Sequence, residues 1–169
     1  MKKNITLIGM MGAGKSLIAE RLSRNLNGYV AVDTDVLIEY HHNQFIPDMF
    51  KEKGEEYFRD AETKILDMVY TKDKIVVALG GGAFERPQNR EKIKANSYVI
   101  YLKATPETLF ERIGNCKNRP LLRKGFTKKE IEDILNKREA NYMLADCVVE
   151  TDGKTSDDVV KELLGIIND

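Results

Sequence analysis

The 169 residues are enough to bury one sizeable core, and at 42% hydrophobic and 32% charged they have the make-up of an ordinary soluble globular chain. The 27 Lys and Arg residues balance 27 Asp and Glu, so no global field argues for a nucleic acid or an anionic membrane, and any attraction for phosphate has to be local. No apolar run approaches the roughly 20 residues of a membrane span, and Met1-Lys2-Lys3 with the apolar stretch behind it lacks the small-residue cleavage site of a signal peptide. Cys116 and Cys147 form no Cys-x-x-Cys pair and are expected to stay reduced in the cytoplasm; the adjacent His41 and His42 lie far from both, which argues against a Cys/His metal site.

The first strand is expected over 4–9, where Ile5-Thr6-Leu7-Ile8 forms a buried run. Residues 9–16, Gly-Met-Met-Gly-Ala-Gly-Lys-Ser, follow it and match G-x-x-x-x-G-K-[ST], with an amphipathic helix expected over 15–26. Strand, glycine loop and helix together make a phosphate cradle, because the glycines let several N–H groups face one anion and the helix N-terminus adds its positive end. Lys15 is placed to reach the β- and γ-phosphates, and the Ser16 hydroxyl to bind Mg²⁺.

The second strand, 29–33, ends on Asp33, with Asp35 just beyond it and a helix over 35–42. Ligands of parallel α/β sheets sit beyond the carboxyl ends of the strands. Asp33 is therefore the candidate for Mg²⁺ or its waters, and Asp35 for orienting an alcohol and accepting its proton. Both also suit helix N-caps, and one residue can do both jobs.

A long helix is expected over 55–71, opened by Gly54 and carrying Arg59. Arg59 could clasp a substrate carboxylate bidentately, although a single helix arginine is more often a solvated charge. The third strand, 74–79, is continuously apolar, as suits a sheet covered on both faces, and ends on Gly80-Gly81-Gly82, whose N–H groups are free to meet a ligand closely.

Beyond it a helix over 88–95, a strand over 97–103 and a helix over 105–113 continue the alternation. Residues 114–126 hold two glycines, one proline and four basic residues and read as a mobile basic lid containing Arg119. A helix over 127–144 carries Arg138 and starts on the capping signal Thr127-Lys128-Lys129-Glu130. A last strand over 146–151 and a helix over 156–167, capped by Thr155 or Ser156, complete the chain. The alternation points to a parallel α/β sheet with right-handed crossovers, in one domain spanning 1–169 without repeats or linkers.

Taken together, the 9–16 loop, Asp33-Thr34-Asp35, the Gly-Glu-x-x-Phe-Arg-x-x-Glu stretch at 54–62, Gly80-Gly81-Gly82 and Arg119-Pro120-Leu121-Leu122 resemble shikimate kinases in order and spacing over essentially the whole chain. The resemblance implies a three-layer P-loop kinase fold like that of nucleoside monophosphate kinases. It would have a five-stranded parallel sheet in the order 2-3-1-4-5, helices on both faces, a substrate-binding helical segment at about 35–62 and a lid at about 114–126. It implies transfer of the ATP γ-phosphoryl group to the 3-hydroxyl of shikimate, on the path to chorismate and the aromatic amino acids.

Carried over by position, Lys15, Asp35 and Arg119 would be catalytic, with Lys15 and Arg119 stabilising the phosphoryl group in flight. Asp35, Arg59, Gly81, Gly82 and Arg138 would bind shikimate, the two arginines at its carboxylate, between apolar walls of Phe50, Phe58 and Pro120. Gly12, Ala13, Gly14, Lys15, Ser16, Leu17, Arg112, Arg119 and Ser156 would bind ATP, with Arg112 and the 152–156 loop at the adenine; Ser16 and Asp33 would serve Mg²⁺. The 152–156 loop departs from the family pattern, since Thr155-Ser156 stands where a proline is frequent. A cytoplasmic monomer without nucleic-acid or membrane partners is expected.

Three other readings compete. A kinase for another hydroxy acid, such as gluconate, would share the loop, the acid after the second strand and the lid; the 54–62 stretch favours shikimate. A GTP switch would need Asn-Lys-x-Asp, whereas Asn136-Lys137-Arg138-Glu139 has Glu in the Asp place and lies on a helix. A dinucleotide fold would need G-x-G-x-x-G, which fails at Met11 from Gly9 and at Leu17 from Gly12.

Overall fold

The computed structural model describes residues 4–114 and 127–168. Strand β1, Asn4–Ile8, is buried along its whole length and lies in the middle of a parallel sheet. It is flanked by β3, Ile75–Ala78, and β4, Ser97–Lys103, with Ile5 opposite Val76 on one side and Tyr98 on the other. Strands β2, Val30–Asp33, and β5, Cys147–Glu150, form the two edges, giving the order β2-β3-β1-β4-β5. Strands and order agree with the sequence reading, each strand within two residues of its expected bounds. The inner strands are apolar on successive residues because both faces of a parallel sheet are covered.

Helix α1, Lys15–Asn25, packs on β1, β2 and β3 and against the last helix, α7, Ser156–Asn168. Helix α2, Thr34–His42, starts directly at the end of β2. Helices α4, Pro87–Asn96, α5, Pro106–Gly114, and α6, Lys128–Tyr142, lie between the later strands. Thr127 and Glu130 form the expected capping box of α6, each side chain bonding the other residue's backbone N–H. Thr155, rather than Ser156, caps α7: its hydroxyl accepts from the Asp158 N–H at 3.2 Å. The expected lid at 114–126, with Arg119 and Pro120, falls from residue 115 onward outside the described residues.

One helix differs from the reading. Helix α3 spans Ile46–Val69 and is broken at Gly54, so the expected 55–71 corresponds to its second half only. Pro47 and Gly54 interrupt the helical pattern, and the stretch between them lacks a long apolar period; yet Pro in the first turn is itself a helix-start signal. A short 3₁₀ turn, Ala83–Glu85, also follows the glycines after β3 and was not expected. A separate apolar cluster ties α2 to both halves of α3 through Ile38, Ile46, Met49, Phe58, Ala61 and Ile65. Phe58, the neighbour of Arg59 in sequence, belongs to this cluster.

The break depends on Gly54, whose φ of 83° and ψ of 172° lie where a Cβ is strained whatever space surrounds it. Gly54→Ala should cost about 1–3 kcal/mol and lower the melting midpoint by about 2–4 °C per kcal/mol. A thermal melt identical to that of the parent would contradict this account of the break.

Candidate active site

The phosphate loop leaves β1 and enters α1 through Gly14 in the left-handed conformation (φ 89°), and among the described residues no side chain caps the helix. The first-turn N–H groups are thus left for an anion. Lys15 folds back along the loop, donating to the Gly9 carbonyl at 2.8 Å and the Met10 carbonyl at 2.9 Å, which holds its ammonium over the cradle. Ser16 donates to Asp33 Oδ2 at 2.5 Å, while Asp33 Oδ1 accepts from the N–H groups of Asp35 and Val36. Asp33 therefore caps α2 and faces Ser16 at once, as the two sequence readings together allow.

On the other side of the loop, a cavity of about 230 Å³ is lined by Ala13, Gly14, Leu17, Arg112, Thr151 and Ser156, among others. Arg112 is fixed over it by two bonds to Thr151, from Nη1 to the hydroxyl at 2.9 Å and from Nη2 to the carbonyl at 2.7 Å. A guanidinium held flat in this way presents a face on which a planar base can stack. Gly12 lies beneath, closed in by Ile113: an added Cβ would stand 2.9 Å from its Cγ1.

The third part of the site surrounds Gly80-Gly81-Gly82. A Cβ on Gly80 would stand 2.5 Å from Asp35 Oδ1 and 3.1 Å from Glu62 Oε1; one on Gly82 would stand 2.3 Å from Arg59 Nη1; one on Gly81 would stand 3.4 Å from Arg138 Nη1. The Asp35 and Glu62 carboxylates thus crowd the place of a Gly80 side chain and the Arg59 guanidinium that of a Gly82 side chain, while Arg138 lies at contact distance from Gly81. Thr34 pins the start of the turn by accepting from the Gly80 N–H at 2.9 Å. Arg59 donates to Glu62 Oε2 at 2.7 Å and to Glu55 Oε1 at 3.1 Å, and lies over the Phe58 ring at 5.3 Å. Phe50 packs on Phe58 at 4.8 Å. The structure therefore brings Asp35, Arg59, Gly81, Gly82 and Arg138 together. Thr34 and Glu62 are the additions: the sequence gives them only as members of Asp33-Thr34-Asp35 and of the 54–62 stretch, without a role, and Glu62 is 1% exposed.

The charges perturb one another. Burial, with the neighbouring Asp33 adding to it and Lys15 opposing, raises the Asp35 carboxyl to about 6. Burial likewise raises Glu62, to about 7, against the pull of Arg59. Among the described residues, Oδ1 of Asp35 and Oε1 of Glu62 are buried without a hydrogen-bond partner, so each can receive a hydroxyl or retain a proton. Arg59 is raised still further above its usual value, burial working against the charge and Glu62 and Glu55 outweighing it.

The Asp35 shift has a sign that can be checked on the ligand-free protein. The folded carboxyl titrates near 6 against 3.8 for the ordinary group, so folding favours its protonated form. That contribution to stability is full below 3.8 and is lost as pH rises through about 6. Asp35→Asn, which fixes the neutral form, should gain in melting midpoint relative to the parent as pH rises from about 4.5 to about 7.5 in the presence of a chelator. A difference that stays constant or shrinks would place the Asp35 carboxyl in a more solvated setting.

A family model for shikimate kinase matches residues 11–168. A shikimate kinase of Persephonella marina is 41% identical over 165 residues, covering 98% of this chain and 99% of the relative. The structure of the Acinetobacter baumannii shikimate kinase in complex with shikimate superposes with a TM-score of 0.91 at 34% identity, covering 99% of this chain and 93% of the other. A gluconokinase of Sinorhizobium meliloti superposes with a TM-score of 0.63 at 14% identity over 97% of this chain and 90% of its own, and so shares the fold alone. With the sheet order β2-β3-β1-β4-β5 and the phosphate loop at the end of β1, these similarities identify the chain as a member of the shikimate kinase family.

Proposed function

We propose that this chain transfers the γ-phosphoryl group of ATP to the 3-hydroxyl of shikimate, giving shikimate 3-phosphate and ADP. The observation that carries the reading is the division of charge around the glycine turn: guanidiniums against Gly81 and Gly82, carboxylates against Gly80. A small acid bearing hydroxyls needs cations at one end and acceptors at the other. Arg59 and Arg138 suit the carboxylate, with N–H groups of Gly81 and Gly82 beside them, and Asp35 suits the hydroxyl that reacts. A gluconate kinase would also need an acid-binding end, but full-length relatives at 34–41% identity are shikimate kinases, whereas the gluconokinase likeness extends to the fold alone.

In the reaction the hydroxyl oxygen forms a bond to the γ-phosphorus. The bond from that phosphorus to the β,γ-bridging oxygen breaks, and its electron pair leaves with ADP. Asp35 orients the hydroxyl and takes its proton, directly or once the transfer is complete. Lys15 sits where charge on the transferring group develops, and Arg119, outside the described residues, is assigned beside it by sequence alone. Gly12, Ala13, Gly14, Lys15, Ser16 and Leu17 cradle the phosphates, while Arg112 and Ser156 meet the adenine end.

The Ser16 and Asp33 oxygens suit Mg²⁺, which prefers hard oxygen ligands and shares its shell with phosphates and water. No cluster of three or more His, Cys, Asp or Glu stands among the described residues, so the side chains provide two oxygens rather than a cage. When bound, Mg²⁺ supplies neutralisation of the phosphate charge.

The direct test is ADP release from MgATP with shikimate, gluconate or no acceptor. Release is expected with shikimate; release with gluconate alone would overturn the assignment of Arg59 and Arg138. Arg59→Ala should then raise the KM for shikimate by at least about thirtyfold, the lower end of the cost of breaking a buried charge pair. An unchanged KM would remove Arg59 from the site.

A further inference from the structure

Tyr142 is the last residue of α6 and is completely buried, its ring against that of Tyr101 at 5.0 Å. Its hydroxyl donates to the carbonyl of Gly81 at 2.5 Å, across 61 residues of chain. Four residues earlier on the same face of α6, the Arg138 guanidinium lies beside that hydroxyl and against Gly81. One phenol thus touches both the glycine turn and one of the two arginines grouped around it.

The consequence follows from peptide geometry. Among the described residues no peptide is cis, so the Gly81 carbonyl and the Gly82 N–H share one trans plane and point in opposite directions. A bond that fixes the carbonyl also fixes the N–H, aiming it away from Tyr142. Among the described residues no hydrogen bond uses the N–H of Gly81 or of Gly82. The 81–82 peptide runs between the two guanidiniums, Arg138 against Gly81 and Arg59 against Gly82. With no side chains to limit their backbone, these glycines need an external constraint to hold one orientation.

We propose that Tyr142 is a positioning residue for the substrate carboxylate: its hydroxyl locks the 81–82 peptide so that the Gly82 N–H is presented to the anion, and it keeps Arg138 in line with that N–H. This rests on the shikimate reading of the site. It adds a residue that makes no contact with the substrate and acts through the two groups that do.

Tyr142→Phe removes one oxygen and keeps the ring on Tyr101. The KM for shikimate should rise roughly tenfold, the effect of leaving a buried carbonyl unpaired, while kcat and the KM for ATP stay within about twofold of the parent. With the shikimate analogue whose carboxylate is reduced to a primary alcohol, parent and variant should have the same kcat/KM. Tyr101→Phe, which removes a hydroxyl that donates to Glu139 at 3.2 Å, should leave the KM for shikimate unchanged.

An unchanged shikimate KM in Tyr142→Phe, an equal loss on acid and alcohol, or a matching rise in the KM for ATP would each overturn the proposal. A parent enzyme that releases no ADP with shikimate would instead overturn the underlying reading of the site. Should Tyr142→Phe fail to fold, amide hydrogen exchange on the parent decides: shikimate should slow exchange at Gly82 by roughly tenfold or more, and an unaltered rate there would contradict the locked peptide.

Discussion

The half-buried Arg59 and the buried Glu62 lie 2.7 Å apart, and much of the surrounding chain is arranged to make that pair tolerable. Taking two charges out of water costs several kcal/mol per ion, repaid only when the geometry is good and the remaining donors are used. Glu55 takes a second edge of the guanidinium, Phe58 lies under its face, and Gly82 gives way to it. Burial still holds Glu62 near 7, so the pair is not an efficient source of stability. Its value lies in keeping a guanidinium desolvated and oriented, which is what recognition of a carboxylate requires. Glu62 orients Arg59 from the helix side, while Tyr142 governs the glycine turn from the side of α6.

The sheet order explains why these groups meet at all. Strands β2, β3 and β1 are neighbours, so the segments leaving their carboxyl ends (Asp33 to Asp35, Gly80 to Gly82, and the phosphate loop) lie side by side. The other half of the sheet, β1, β4 and β5, brings Arg112 on α5 up to Thr151 and Ser156 beyond β5, and with them the cavity beside the loop. The phosphate loop leaves the shared central strand, so under the proposed function it stands between an acceptor half and a nucleotide half. Transfer between two substrates held on either side of one phosphate cradle follows from that arrangement.

What could be read in the sequence was what is encoded locally. The phosphate loop depends on a strand, a run of glycines and a helix within about a dozen residues, and its Lys15 and Ser16 fall where that pattern puts them. The strands are legible because burial on both faces forces continuous apolar runs, as in Ile75–Ala78. The first half of α3 was hidden because its helical state is set by packing of Ile46 and Met49 against Ile38 rather than by its own periodicity. The meeting of Asp35 and Glu62 against Gly80 and the bond from Tyr142 to Gly81 bring together residues 27 and 61 positions apart. Nothing in the local pattern at either end of such a contact announces it. Arg59 was legible as a candidate only in combination, because its environment, and not its position on a helix, distinguishes it from a solvated charge.

The most direct test of the account is the equilibrium affinity of Gly82→Ala for shikimate, measured by calorimetry beside its affinity for ADP. Gly82 has φ −102° and ψ −9°, open to any residue, so the substitution strains no backbone. The new Cβ would stand 2.3 Å from Arg59 Nη1 and 2.7 Å from Cζ, so the guanidinium has to move. The account predicts a loss of shikimate affinity of roughly tenfold or more with ADP binding unchanged. Shikimate affinity equal to that of the parent would contradict it, because it would show that the guanidinium packed against the glycine turn is not what holds the substrate.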